Sequence, residues 1–232
     1  MGCAECFFQD GRGYLEPLDE RTPNVPEAEQ IRGRVVRMND GNDSNYQRDL
    51  VIAMAETLAD LGAAGVFYNT AIPRLDFPGP VVLTANPGRL TDSGPAHLVD
   101  PCPPNLMFVR VRTNTWNLDL VDQVVEHYEA RKVPVVLTFM AYYSDEPENH
   151  IRKSDELMGR IGISCAGDYT WRKRTLNSYW VITPAAWDRV VARYHGNSLV
   201  YTCGKDANTH ACSQCGNCLR EFFATRERMA AP

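Results

Sequence analysis

The sequence predicts an α/β protein of parallel strands with crossover helices. Short runs rich in β-branched and aromatic residues alternate with stretches whose apolar residues recur at helical spacing. Alternation of that kind closes into a parallel sheet through right-handed crossovers. The size agrees: 232 residues, 44% hydrophobic and 23% charged, suit one sizeable globular domain.

Taken in order, residues 7–32 are rich in Gly, Pro, Asp and Glu and read as a connecting segment. The predicted strands are then 34–38, 65–68, 81–84, 106–111, 133–139, 179–183 and 198–201. Pro134 cannot donate to a ladder, so the fifth strand is expected to begin at Val135. Between them, Ser44 is placed to cap a helix with Leu50, Met54, Leu58 and Leu61 on its inner face and Gly62 as its stop. Asn117 is placed to cap a second, with Leu120, Val121, Val124, Val125 and Tyr128 inside. Thr183-Pro184 opens a third in cap-then-proline order, with Trp187, Val190, Val191 and Tyr194 inside and Gly196 at its end.

In parallel α/β folds chemistry gathers where strands end. Here those ends are polar: Asn39–Asp43, Asn69-Thr70, Asn86–Arg89, Arg112–Asn114, then Met140, Tyr142 and Tyr143, and finally Cys203. Any one loop is explained by turns and caps; repetition at strand after strand predicts a shared polar pocket. The Asn39–Asp43 stretch is the densest, with paired acceptors suited to ribose hydroxyls or an ammonium group. The basic, aromatic stretch Tyr169–Arg174 reads as a solvated loop with one buried Trp, although cations beside rings also grip phosphates and bases. His127 and His195 are expected at the surface or boundary, His210 as a spare metal ligand, and Cys102 and Cys165 as structural thiols.

Eight cysteines are too many for a chain without redox or metal chemistry. Cys203, Cys212, Cys215 and Cys218 form C-x8-C-x2-C-x2-C, and neighbours that close strain a disulfide. A tight turn aims such thiols at one metal instead. The x2-x2 run is the pattern of a [4Fe–4S] cluster, with Cys203 as fourth ligand; tetrahedral zinc suits the same four sulfurs and stays open beside it. Domain boundaries follow: 1–202 for the α/β body, with 1–32 as its cysteine-containing loop and linker, and 203–232 for the cysteine cluster and a terminal helix.

A second pair, Cys3 and Cys6, stands in Gly2-Cys-Ala-Glu-Cys-Phe-Phe8. Before a parallel α/β array and a C-terminal cysteine cluster, it resembles the end of the radical SAM signature, C-x3-C-x2-C. Arg37-Met-Asn-Asp-Gly-Asn-Asp43 and the run from Cys203 to Cys218 are similar to features of a phage branch of that superfamily, the gene product eighty-eight type. The resemblance covers roughly residues 3–8 and 33–220 and lacks the first signature cysteine. It implies a partial (β/α) barrel, a [4Fe–4S] cluster on Cys3 and Cys6, and S-adenosylmethionine cleaved reductively to modify a small-molecule or macromolecular substrate, with a reductant as partner. It also implies that Asp40, Asn42 and Asp43 approach the cofactor while Asn69 and Asn86 line the same cavity.

The net charge of −5 argues against a nucleic-acid-coating protein, leaving nucleic acid only weakly supported as a partner. No apolar run reaches bilayer length and nothing resembles a secretory signal, so a reducing cytoplasm is expected, the host's if the chain is phage-encoded. A redox dithiol at Cys3 and Cys6 is disfavoured, since such pairs follow a strand at a helix N-terminus. A non-catalytic α/β protein with a structural zinc knot is the remaining alternative.

Overall fold

Six of the seven predicted apolar runs pair side by side in one parallel sheet. The structure is a computed structural model that describes residues 27–38, 43–86, 96–139, 142–143, 167–172, 179–203 and 215–231. A short helix α1 (Ala28–Ile31) leads into β1 (Val35–Arg37), α2 (Arg48–Asp60), β2 (Gly65–Thr70), β3 (Val81–Thr84), β4 (Leu106–Thr113), α3 (Leu118–Glu129) and β5 (Val135–Phe139). After β5 come β6 (Tyr142–Tyr143), β7 (Tyr169–Arg172), β8 (Tyr179–Ile182), α4 (Pro184–Ala192), β9 (Val200–Thr202) and α5 (Asn217–Ala230).

The sheet order is β1-β2-β3-β4-β5-β9, every pair parallel. Because the order never reverses, right-handed crossovers all fall on one side. The sheet is therefore an open half-barrel with α2 and α3 outside. Val51, Ala55 and Leu58 of α2 and Val121, Val124, Val125 and Tyr128 of α3 pack there against Val81, Leu83, Val109, Val111, Val135 and Leu137. The concave face has a separate core of Phe67, Val82, Met107, Phe108 and Val136, closed by Phe222 of α5. The terminal helix thus shares the sheet's core.

Pro134 precedes the fifth strand as expected, and β2 and β4 run two residues further than their apolar runs. The α2 prediction is corrected in phase. Ser44 is not its cap: its backbone N–H donates to Asn69 O (2.9 Å) and its hydroxyl accepts from Asn69 N (3.1 Å). The helix starts after Gln47, which adopts a left-handed φ of 55°. Arg48 then sets the phase. Its guanidinium stacks 4.0 Å from the Phe77 ring and pairs with Asp76 at 3.1 Å. That turns Val51, Ala55 and Leu58 inward and leaves Leu50 and Leu61 each 37% exposed. Gly62, at φ 94°, ends the helix as expected.

The Tyr179 run is also corrected. It is antiparallel and lies in a separate sheet of order β6-β8-β7. Only residues 173–178 separate it from β7, too few for a parallel crossover. Tyr169–Arg172, read as a loop, is its partner strand, with Tyr169 7% exposed and packed on Ile182 and Ala186. At α4, Thr183 Oγ1 accepts from Ala186 N (3.4 Å) with Pro184 next, the predicted cap.

Candidate functional site

Alternation along the strands decides what faces the concavity. With Phe67, Val82, Phe108 and Val136 inward, the next inward positions are Asn69, Thr84, Arg110 and Thr138, with Arg112 one step beyond Arg110. An apolar floor therefore carries a polar, cationic layer nearer the strands' C-terminal ends. Asn69 donates to Met38 O (2.9 Å), which turns its Oδ1 toward Arg110 Nη1 at 3.5 Å. Arg110 also lies 5.8 Å over the Phe108 ring.

Of the residues that the resemblance offers as cofactor ligands, Cys3, Cys6, Asp40 and Asn42 lie outside the described residues. Asp43 clamps two loops: Oδ1 accepts from Asn45 N (2.9 Å) and Thr70 Oγ1 (2.8 Å), and Oδ2 from Ala71 N (2.6 Å). Asn86 extends the β3–β4 ladder with its side chain, donating to Arg112 O (2.9 Å) and accepting from Arg112 N (2.7 Å). Asn117 donates to the same carbonyl at 2.9 Å. Of these three, Asn69 is the one bonded to the Arg110 guanidinium, while Asn86 meets the Arg112 backbone. His127 bonds Val99 O (3.0 Å), His195 is exposed, and Cys102 is half-buried, its thiol pushed up by burial.

Cys203 follows β9, and its N–H donates to Leu137 O (2.9 Å), so the ladder continues one residue past the strand. By alternation it shares the concave face with Tyr201. The other thiols return to this corner through α5. Gly216 takes the left-handed φ of 69° that turns the chain into the helix, and Asn217 Nδ2 donates to Thr202 O (2.8 Å). That bond pins the helix start, with Cys215 before it and Cys218 within it, to the strand end that bears Cys203. Cys218 packs against the same core as Tyr201. No disulfide joins Cys203, Cys215 and Cys218. Among the described residues no three His, Cys, Asp or Glu side chains close on a common point, and Cys212, the fourth predicted ligand, lies outside them, as do Cys165 and His210. Thiols held at one end by a strand and a helix start are the donor chemistry that thiophilic metals require. Beside them, Arg220 lies 4.6 Å over the half-buried Tyr201 ring, and desolvation followed by the Glu221 charge raises the Tyr201 phenol well above its ordinary range.

A depression of about 400 Å³ lined by Asp122, Val125, Glu126, Glu129 and Ala130 lies on the outer side of α3, and Asp122 is already paired with Arg193 and Tyr194. Sequence reasoning named Arg112 among the polar strand ends and passed over Arg110 and Thr138. The signal was present: a central parallel strand is buried on both faces, and Leu106–Thr113 breaks its apolar run with two arginines on one face.

Fold and site define an α/β half-barrel whose strands rise in chain order, with thiols at one corner of its concave face. The chain matches no protein-family model, no curated protein and no solved structure.

Proposed function

We propose that the protein is an iron–sulfur protein in which Cys203, Cys212, Cys215 and Cys218 hold a [4Fe–4S] cluster at the open end of the half-barrel. The observation that carries this reading is the hydrogen bond from Asn217 to Thr202 at 2.8 Å, which holds the helix bearing Cys218 on the strand end bearing Cys203. Three thiolates at x2 spacing, with a fourth from a neighbouring strand, match cluster ligation in number and type. When bound, such a group supplies one-electron chemistry. This chain's own residues give it a half-buried seat, the Tyr201 ring and the Arg220 cation beside it, and the inward-facing layer of Asn69, Arg110 and Arg112.

The radical SAM reading belongs to the same proposal: Cys3 and Cys6 contribute to a second cluster, and S-adenosylmethionine is its co-substrate. The half-barrel of strands in chain order supports it, as does the polar layer at the strand ends. It rests otherwise on the resemblance, in which the first signature cysteine is lacking.

A structural zinc site is the second reading. The observation that favours it is the docking of α5 by Phe222 in the concave core, since a metal at the helix start would staple this segment.

Anaerobic purification with iron, sulfide and zinc counted per chain separates the three. About four irons with four sulfides, lost in Cys215→Ala/Cys218→Ala, supports the C-terminal cluster. About eight adds the N-terminal site and makes reductive cleavage of S-adenosylmethionine the next assay. About one zinc without iron sinks the iron–sulfur reading.

A further inference from the structure

We propose that the concave face binds an oxyanion, the phosphate or carboxylate group of a small molecule, with Arg110 as its principal contact and Thr138 and Arg112 beside it. The argument begins with charge. The chain is acidic, at −5, yet the inward positions of the described strands carry Arg37, Arg110 and Arg112 and no Asp or Glu. Arg110 sits on the central strand, only partly exposed, over the Phe108 ring and above the apolar layer of Phe67, Val82 and Val136. A guanidinium in such a place is normally neutralised by a carboxylate. Among the described residues none is within ion-pair distance, and the one hydrogen bond Arg110 makes is the long 3.5 Å contact to Asn69. A guanidinium carries five donors, so most of its fork is left for another acceptor.

Two neighbouring observations point the same way. Thr138 stands opposite Arg112 in the β4–β5 register, and its buried hydroxyl has no hydrogen-bond partner among the described residues. Buried hydroxyls are normally paired, so this one also awaits an acceptor. Asn69, in turn, is oriented from behind by its bond to Met38 O, which turns its Oδ1 toward the Arg110 guanidinium. An oxyanion is the chemistry that satisfies a guanidinium fork and a hydroxyl together, through charge-assisted hydrogen bonds. The inference stands on the half-barrel face alone and holds whichever metal the cysteines carry.

The test is a thermal melt of the full chain in chloride buffer at constant ionic strength, titrated with inorganic phosphate or with malonate. Binding to the native state alone raises the midpoint with anion concentration. We expect one of the two anions to do so, phosphate marking a phosphorylated ligand and malonate a carboxylate. In Arg110→Gln the apparent Kd weakens about tenfold or more, as loss of a charge-assisted pair requires. Thr138→Val, which removes the hydroxyl at constant volume, weakens it by a smaller factor of about three. Arg74→Gln, at a side chain 60% exposed beside Asp76, leaves it unchanged. Should Arg110→Gln fail to fold, Arg110→Lys keeps the charge and loses the planar fork, and a weakened response is expected there too. No response to either anion in the unmodified protein overturns the proposal, and so does an equal response in the Arg110 variants.

Discussion

At the scale of single residues, the concave core turns on one missing side chain. Gly65 opens β2 where Phe222 of α5 comes down, and a Cβ at that position would overlap the ring, with Cζ the nearest atom and Cε1 at 3.0 Å. The ring is 1% exposed and tilted against Phe67 at a centroid separation of 6.4 Å, so it has no easy retreat. Gly65→Ala is therefore an overpacking change, expected to destabilise by about 1–3 kcal/mol in chemical denaturation. Adding Phe222→Leu should recover part of that loss, because the two sites share one volume and their effects do not add. An additive double mutant would show that the helix does not rest on Gly65. Tyr128 gives a residue-scale pH dependence. Burial pushes its phenol up to about 12, while its hydroxyl donates to His97 O (2.7 Å) and accepts from Val99 N (3.1 Å). In the unfolded chain a tyrosine ionises near 10, so between pH 10 and 12 the unfolded state holds fewer protons than the native one. The stability Tyr128 contributes is complete below pH 10 and is lost as pH rises through 12. In urea melts across that window Tyr128→Phe should lower stability at neutral pH, through the lost bonds, and flatten the alkaline decline.

At the scale of elements, α4 shows what a sequence can encode locally. Thr183-Pro184 is a cap followed by a residue already fixed in helical φ, and both functions are filled in the structure. Thr183→Ala should cost about 0.5–2 kcal/mol while Thr183→Ser costs less, read as a shift in denaturant midpoint; equal losses would assign the effect to the methyl group and not the cap. The β3 and β5 spans were legible for a similar reason: Val81–Thr84 and Val135–Phe139 are apolar runs whose length and β-branching leave little alternative. The phase of α2 was not legible. Apolar spacing admits Leu50, Met54, Leu58 and Leu61 as readily as Val51, Ala55 and Leu58, and the choice is made by Arg48 against Phe77 and Asp76, about thirty residues away in the chain. The pairing of Tyr169–Arg172 with Tyr179–Ile182 was hidden likewise. Its arginine and polar residues read as a loop, and its burial comes from Ala186 and Trp187 of the helix that follows.

At the scale of the whole molecule, the parallel α/β array followed from the alternation of runs and helices. The inward placement of Arg110 did not, because which face a strand residue takes depends on the neighbours that register brings beside it. The same scale separates folding from cofactor loading. Docking of α5 has contacts besides its thiols: Phe222 lies in the concave core, Arg228 donates to Leu106 O (2.8 Å), Arg226 to Ala64 O (3.4 Å) and Asn217 to Thr202 O (2.8 Å). These contacts run from the C-terminal end of β9 to the N-terminal ends of β2 and β4, along the length of the helix. Burial of Phe222 alone is worth roughly 3–5 kcal/mol by truncation, enough to hold a helix end that frays at its first turn. The six-stranded sheet in turn has its own convex core with α2 and α3. Removing the proposed metal with a chelator under reducing conditions, or in Cys215→Ala/Cys218→Ala, should therefore leave the far-ultraviolet circular dichroism intact. Hydrogen exchange should speed up in the first turn of α5, around Asn217–Arg220, while the amides of β4 and those near Phe222 keep their protection. Uniform loss of protection across the sheet would mean that the metal is part of the fold's own cooperativity, and would move the weight of the proposal from an electron-carrying site to a structural staple.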